Sequence, residues 1–597
     1  MGSIPYKGTP TKLPTTDVVV VGLGWAGSII ANELADEGLN VIGYERGPWR
    51  DTARDFSVAT APDELRYNTR MELMVRARQN TVTMRNNPGQ TALPIRQWQS
   101  FHPGNGTGGA GLHWAGITYR YDPNEFRMKS HLIERYGQKA YDAANLTMQD
   151  WGTDWDEMEP HYARFEAICG TSGKAGNIKG QIQEGGNPFE GPRSADYPTP
   201  PMEQPYGPTL FAETAKDMGY KPYPVPSSLV SEAYTNPLGV TMGPCTYCGF
   251  CTNYGCANYS KASAITTILP ALIRKPNFTA KTNCEVHRVV MDPSGTRATG
   301  VIYTDSSGRE WEQPASLVIV AAFVLENVRL MLMSGVGEPY DPETGKGTTG
   351  RNYCYQTANS AQLFFHDKNF NPFIGAGAVG MGIDETNNDN FDHSGLGFFG
   401  GGSTRVTPIG GAPIANSVTP PGTPKWGSQW KRAVKDTYHA NMSIGCEASC
   451  YPQRTNYLSL DPTYRDPYGD PLLRMTFDFT DNDLRMAQYV TNRIAEIGKR
   501  MGAYQIVKKP SVGPWSNAKG YESTHLVGGF IMGTDPSVSS VNKYLQVWNV
   551  PNLFVVGATA VPQNPGYNPT GTVGALAFKA ADAIRRLYLK NPGEMIG

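Results

Sequence analysis

Asp17-Val-Val-Val-Val21-Gly22-Leu-Gly24-Trp-Ala-Gly27 is the stretch on which the fold of this 597-residue chain turns. The β-branched run Asp17–Val21 reads as a parallel strand buried on both faces. A helical stretch follows from Ser28 to Glu37, then a second strand from Val41 to Glu45. The pattern G-x-G-x-x-G is weak alone, but between two such strands it predicts a dinucleotide-binding βαβ unit. Gly22 allows the tight turn, Gly24 lets the backbone approach a pyrophosphate, and Gly27 permits close packing of helix on strand. The helix N-terminus then faces the phosphates. Glu45 closes the second strand, where an acid binds ribose hydroxyls and argues against a 2′-phosphate.

Two further segments point at the same ligand. Gly104-Asn-Gly106-Thr-Gly108-Gly109-Ala-Gly111-Leu112-His113-Trp114 holds five glycines in eight positions, so backbone passes very close to something flat or phosphorylated. Near the C-terminus, a strand at 553–556 runs into Gly557-Ala558 and, after a loop, a helix at 571–589. That passage predicts a second contact with the dinucleotide through Gly557 and Ala558. In between, residues 50–100 read as polar helix or loop, and 150–240 as irregular. A helix is expected at 262–274, then strands at 285–291, 298–304 and 316–322, and a helix at 325–333. From about 345 to 515 an alternating, glycine-rich pattern predicts an antiparallel sheet with long loops, closed by a helix at 481–502.

Composition narrows the function classes. Net charge is −1 and charged residues make up 18%, so no basic field draws nucleic acid or anionic lipid. No segment approaches the roughly 18 to 20 apolar residues that span a bilayer. The first residues show no apolar signal region and no twin arginine, which leaves cytoplasm, or export as a passenger on a partner's signal.

Four of the nine cysteines crowd into Cys245-Thr-Tyr-Cys248-Gly-Phe-Cys251-Thr-Asn-Tyr-Gly-Cys256. The run C-x2-C-x2-C-x4-C is nearly that of bacterial ferredoxins, with one extra residue before the last cysteine. An iron–sulfur cluster is the favoured reading. Structural zinc prefers two separated pairs, and neighbours two apart do not easily form disulfides.

These blocks resemble the glucose–methanol–choline (GMC) oxidoreductase family, which is FAD dependent. The cysteine run is similar to that of the bacterial membrane-bound flavoprotein dehydrogenases of sugars and sugar acids. The resemblance implies a Rossmann-like α/β FAD-binding domain over 1–345, carrying the cysteine segment near 244–256 and some insertions. It implies an α+β substrate domain built on an antiparallel sheet over 346–515, and a return to the FAD domain over 516–597. His525 matches the family's catalytic base, and its ordinary pKa suits proton transfer at neutral pH. Asn568 matches the second position, which orients the alcohol. In some relatives the histidine of a His-Trp motif is joined to the flavin. Leu112-His113-Trp114 departs from their Thr-His-Trp form, so covalent attachment through His113 and simple packing both stay open.

The resemblance further implies a sugar or sugar-acid alcohol as substrate, D-gluconate foremost, with sorbitol, fructose, 2-ketogluconate and glucose as alternatives. Its partners would be a small signal-bearing subunit and a multihaem cytochrome c, with membrane contact only through them. The location would be the periplasmic face of the inner membrane. A trinuclear cluster needs three thiolates, and Cys245, Cys251 and Cys256 are favoured over Cys248; four ligands and a cubane are the runner-up. Arg405, Arg454 and Arg474 are candidates for a substrate carboxylate. An oxidase that uses oxygen, and an electron-transfer subunit without catalysis, are the competing functions.

Overall fold

The structure is a computed structural model that describes residues 8–56, 73–77, 79–96, 101–372, 375, 377–408, 418–516 and 524–595. Its organising element is the strand Thr16–Val21. Val41–Glu45 pairs with it in parallel on one side and Glu310–Val320 on the other. Phe278–Thr282 extends the sheet beyond Val41–Glu45, and Leu553–Val555 pairs in parallel with Val318–Val320. The hairpin Glu285–Met291/Ala298–Thr304 adds antiparallel strands against the first half of Glu310–Val320. Val18, Val19 and Val20 are wholly buried, as a strand covered on both faces requires.

The helix Trp25–Asp36 packs on Thr570–Ala583, which in turn packs on Trp155–Cys169. Their approach is close because Gly574 has no side chain: a Cβ there would stand 2.2 Å from the Phe165 ring. The Phe165 ring meets Trp25 edge-on at 5.2 Å.

A second, antiparallel sheet has the order Gln505–Lys509, Thr357–Phe364, Asn441–Ala448, Gly402–Val406, Met381–Ile383, Tyr223–Pro224. The alternation along Asn441–Ala448 gives it two characters. Met442, Ile444, Cys446 and Ala448 face a core shared with Met486, Val490 and Ile494 of the helix Asp481–Arg500. Ser443, Gly445 and Glu447 point the other way. That polar face is the one that reaches the site.

The structure corrects several sequence readings. The stretch 150–240 is not irregular: it holds the helices Trp155–Cys169 and Tyr206–Asp217. The first is capped by the Asp154 side chain, which accepts from Glu157 N, and stops at Gly170 with φ +60°. Residues 50–100, expected as helix or loop, contain the strand Val82–Arg85, parallel to Pro471–Thr476; residues 57–72 and 97–100 lie outside the described residues. The helix expected at 262–274 is two short turns, Ala264–Thr267 and Leu269–Leu272, because Pro270 lacks an N–H for the preceding turn. The strand placed at 316–322 begins at Glu310 and ends at Val320. Among the described residues no helix is long and apolar enough to cross a membrane.

Candidate active site

A cavity of about 400 Å³ runs from Glu45 to His525. Its walls include Gly22, Gly24, Gly109, His113, Gly557 and Ala558, and its far end includes Asn568. Trp114 also lines it, with its indole N–H donated to the carbonyl of Ala262 at 2.8 Å. Gly22 has φ +96°, and a Cβ on it would meet the Ala321 carbonyl oxygen at 2.5 Å. Gly24 faces Gly109 across the wall, and an added Cβ would stand at ordinary contact, 3.8 Å from the Gly109 Cα. A larger side chain at either would close the space. Gly27 and Gly108 stay outside the cavity. Gly27 packs under the first turn, where a Cβ would stand 1.9 Å from the carbonyl oxygen of Gly22, and Gly108 turns with φ +95°. A bare backbone cradle of this kind fits a dinucleotide.

Glu45 ends its strand at the cavity wall and accepts from Leu23 N at 3.1 Å and Gly47 N at 2.9 Å. Burial pushes its carboxyl above the usual range, and those two N–H groups oppose the shift. Its acid therefore braces the glycine loop as well as facing the ligand space. His113 is buried, its Nε2 has no partner, and burial brings its pKa down to about 3. The ring is neutral at the cavity wall.

The chemistry gathers around His525. The short strand Leu526–Val527 pairs with Cys354–Tyr355, and one step further the register sets His525 beside Gln356. Gln356, wholly buried, donates its Nε2 to the carbonyls of Pro565 at 2.6 Å and Tyr567 at 3.2 Å. Its Oε1 therefore faces His525 Nδ1, at 2.6 Å, as an acceptor. Nδ1 must carry the proton, and Nε2 holds the lone pair. Asn568 Nδ2 stands 3.1 Å from that Nε2, and its buried Oδ1 has no partner. Burial lowers the His525 pKa, Glu447 opposes this and Arg405 adds to it.

Glu447 Oε2 lies 3.5 Å from His525 Nδ1 and 2.5 Å from Arg405 Nη2. Burial works against ionising Glu447, but Arg405 and His525 outweigh it and hold the carboxyl below its usual range. Of the three arginines the sequence offered, only Arg405 lines the cavity. Arg454 binds the carbonyl of Pro342 and Arg474 the hydroxyl of Ser459. Gln356 and Glu447 escaped the sequence reading. Strand register places both, and no motif marks them.

None of the four cysteines lines the cavity; Thr252 and Asn253 of that segment do. All nine cysteines are free, which removes the disulfide reading of the run. Among the described residues no group of three or more His, Cys, Asp or Glu side chains is gathered to hold a metal ion. Backbone N–H groups approach the sulfurs: Tyr247 N at 3.4 Å from Cys245 and Lys261 N at 3.4 Å from Cys256. The N–H of Phe250 bonds Cys248, and that of Gly377 bonds Cys251. Burial pushes the Cys245 thiol up to about 12 and Cys251 to about 11.

Comparison with known proteins fixes the family. GMC oxidoreductase family models match residues 233–357 and 452–577. A gluconate 2-dehydrogenase flavoprotein of Pantoea cypripedii is 48% identical over 593 residues, 98% of this chain and 96% of that one. The chain belongs to the GMC oxidoreductase family. It is an FAD-dependent oxidoreductase acting on CH–OH groups, and the cradle described above is where this GMC chain would hold FAD. The large subunit of fructose dehydrogenase from Gluconobacter japonicus is 26% identical, covering 96% of this chain and 98% of that one. A formate oxidase structure has the same GMC fold, with a TM-score of 0.62 at 16% identity over 97% of this chain and 99% of that one.

Proposed function

We propose that the chain is the flavoprotein subunit of a gluconate 2-dehydrogenase, oxidising D-gluconate to 2-keto-D-gluconate. The observation that carries the chemistry is the Nε2 lone pair of His525, fixed toward the cavity by Gln356. When bound, FAD supplies the hydride acceptor. His525 Nε2 takes the proton of the C2 hydroxyl, Asn568 orients that hydroxyl, and Glu447 offsets the positive charge that arrives on the imidazole. The 48% identity to the Pantoea flavoprotein supports gluconate over the other polyols. The test is anaerobic flavin bleaching with gluconate, 2-ketogluconate, sorbitol, fructose and glucose. Gluconate is expected to bleach fastest; faster bleaching by another polyol overturns the assignment.

The cysteine segment supports a one-electron outlet, an iron–sulfur cluster that passes electrons to a cytochrome c subunit. Its loop is bonded directly to the flavin-side loop: Asn253 N donates to the His113 carbonyl at 2.7 Å, and Lys261 Nζ to the Trp114 carbonyl at 2.7 Å. A free thiol set with N–H groups on its sulfurs suits cluster ligation, and the hydrogen bonds would tune its potential. Cys245, Cys251 and Cys256 are the favoured ligands of a trinuclear cluster. Iron analysis and the electron paramagnetic spectrum test this: C251S is expected to lose iron and cytochrome reduction while still bleaching with substrate. In the same reading, His113 would be the residue that holds the flavin covalently, its Nε2 being unpartnered. A small subunit carries the export signal, and the complex works at the periplasmic face. Co-purification of this chain with both subunits from a membrane fraction checks that assembly.

A further inference from the structure

Arg405 has more to do than hold Glu447. It sits on the strand Gly402–Val406, opposite Gly445 on one neighbouring strand and Gly382 on the other. With glycine on both sides, no cross-strand side chain covers its stem. Glu447, two residues beyond Gly445 on the same face, takes its Nη2 at 2.5 Å and fixes the plane of the guanidinium. Its Nη1 is buried, has no partner and belongs to a residue that lines the cavity. Arginine stays charged even here, so an unmet buried N–H on it is costly.

The only lysines or arginines among the described cavity-lining residues are Arg46 and Arg405. Arg46 follows Glu45 and faces Glu326 at 3.6 Å and Glu285 at 4.0 Å. Arg405 instead shares one oxygen, Glu447 Oε2, with the catalytic imidazole. The guanidinium that carries the unmet donor therefore lies beside the base, on its Nδ1 side. In a 2-hydroxy acid the carboxylate carbon is adjacent to the reacting one, so its recognition calls for a cation close to the base.

We infer that Arg405 Nη1 binds the carboxylate of an aldonic acid and thereby sets its C2 hydroxyl at His525 Nε2. This rests on the gluconate reading above and explains why C2 reacts. Charge supports it. Arg405 and Glu447 cancel, so a bound carboxylate leaves the site negative, which favours the imidazolium that His525 becomes on taking the hydroxyl proton.

The test compares gluconate with gluconamide, its neutral isostere, by anaerobic flavin bleaching in the wild type, R405K and R405Q. Wild type is expected to prefer gluconate. In R405Q the half-saturating gluconate concentration should rise about 10- to 100-fold relative to that of gluconamide, the worth of a charged hydrogen bond. R405K keeps the cation and should fall between. Equal use of acid and amide by wild type overturns the inference without any variant, as does a parallel loss of both substrates in R405Q. Wild type that bleaches with neither compound refutes the gluconate reading itself.

Discussion

Replacing Gln356 with leucine isolates the tautomer lock. Gln356 does not line the cavity, so substrate binding should not feel its loss. Its Oε1 meets a neutral Nδ1–H before reaction, at 2.6 Å, and an imidazolium N–H once the substrate proton arrives. A hydrogen bond to a charged group is worth about 1.5–3 kcal/mol, and one between neutral groups about 0.5–1.5 kcal/mol. The difference, about 1–1.5 kcal/mol, belongs to the transition state alone and is about tenfold in rate. Rapid-mixing measurements of flavin reduction against gluconate concentration separate the two parameters. The limiting rate of Q356L should drop about tenfold with the half-saturating concentration unchanged. A loss confined to the half-saturating concentration, or a limiting rate equal to wild type at equal FAD content, refutes the reasoning.

In E447Q the acid limb of the reduction-rate profile should move to lower pH. Glu447 raises the His525 pKa while burial and Arg405 lower it, so without Glu447 the base stays unprotonated further into acid; a shift toward neutral pH counts against this. G22A should lose FAD and thermal stability together, since φ +96° and an oxygen 2.5 Å from the new Cβ leave it no relaxed position, a cost of about 1–3 kcal/mol from the dihedral alone. Acid-precipitated wild type is expected to keep its flavin colour, and H113A to release it into the supernatant. Glu166 is clasped by Arg120 Nη2 at 2.7 Å and Arg193 Nη2 at 2.6 Å. Burial opposes its ionisation, but the two arginines bring the carboxyl down to about 2, below its unfolded value of 4.5. Its stabilisation is thus full above that unfolded value and fades as pH falls toward the folded one. E166Q should melt well below wild type at neutral pH, by about 3–5 kcal/mol of lost stability, with the gap narrowing as the medium is acidified.

The local signals in the sequence carried the nucleotide half of the fold. A strand, a glycine turn and a helix are set by neighbouring residues, and Asp17–Glu45 folds nearly as its pattern reads. The helix Trp155–Cys169 had legible ends in Asp154 and Gly170, but Pro160 within it masked the periodicity. His525 and Asn568 are reached through the family resemblance, and the structure brings both to one cavity. Gln356 and Glu447 are not reached that way. Glu447 pairs with Ala358 and Ser403, residues distant in the chain, and only that register turns it toward Arg405 and His525. Long-range pairing leaves no imprint on the residues beside it.

Lys261 is wholly enclosed, and its ammonium donates to the carbonyls of Trp114 at 2.7 Å, Cys251 at 2.8 Å and Tyr254 at 2.7 Å. Those acceptors belong to two loops, one walling the nucleotide and one bearing the thiols. Peeling the thiol loop away would strip a buried charge of two of them at once, a step that water-free surroundings make steep. The ammonium is thus a clasp between the two loops. The nucleotide loop and the cysteine loop therefore open together or not at all.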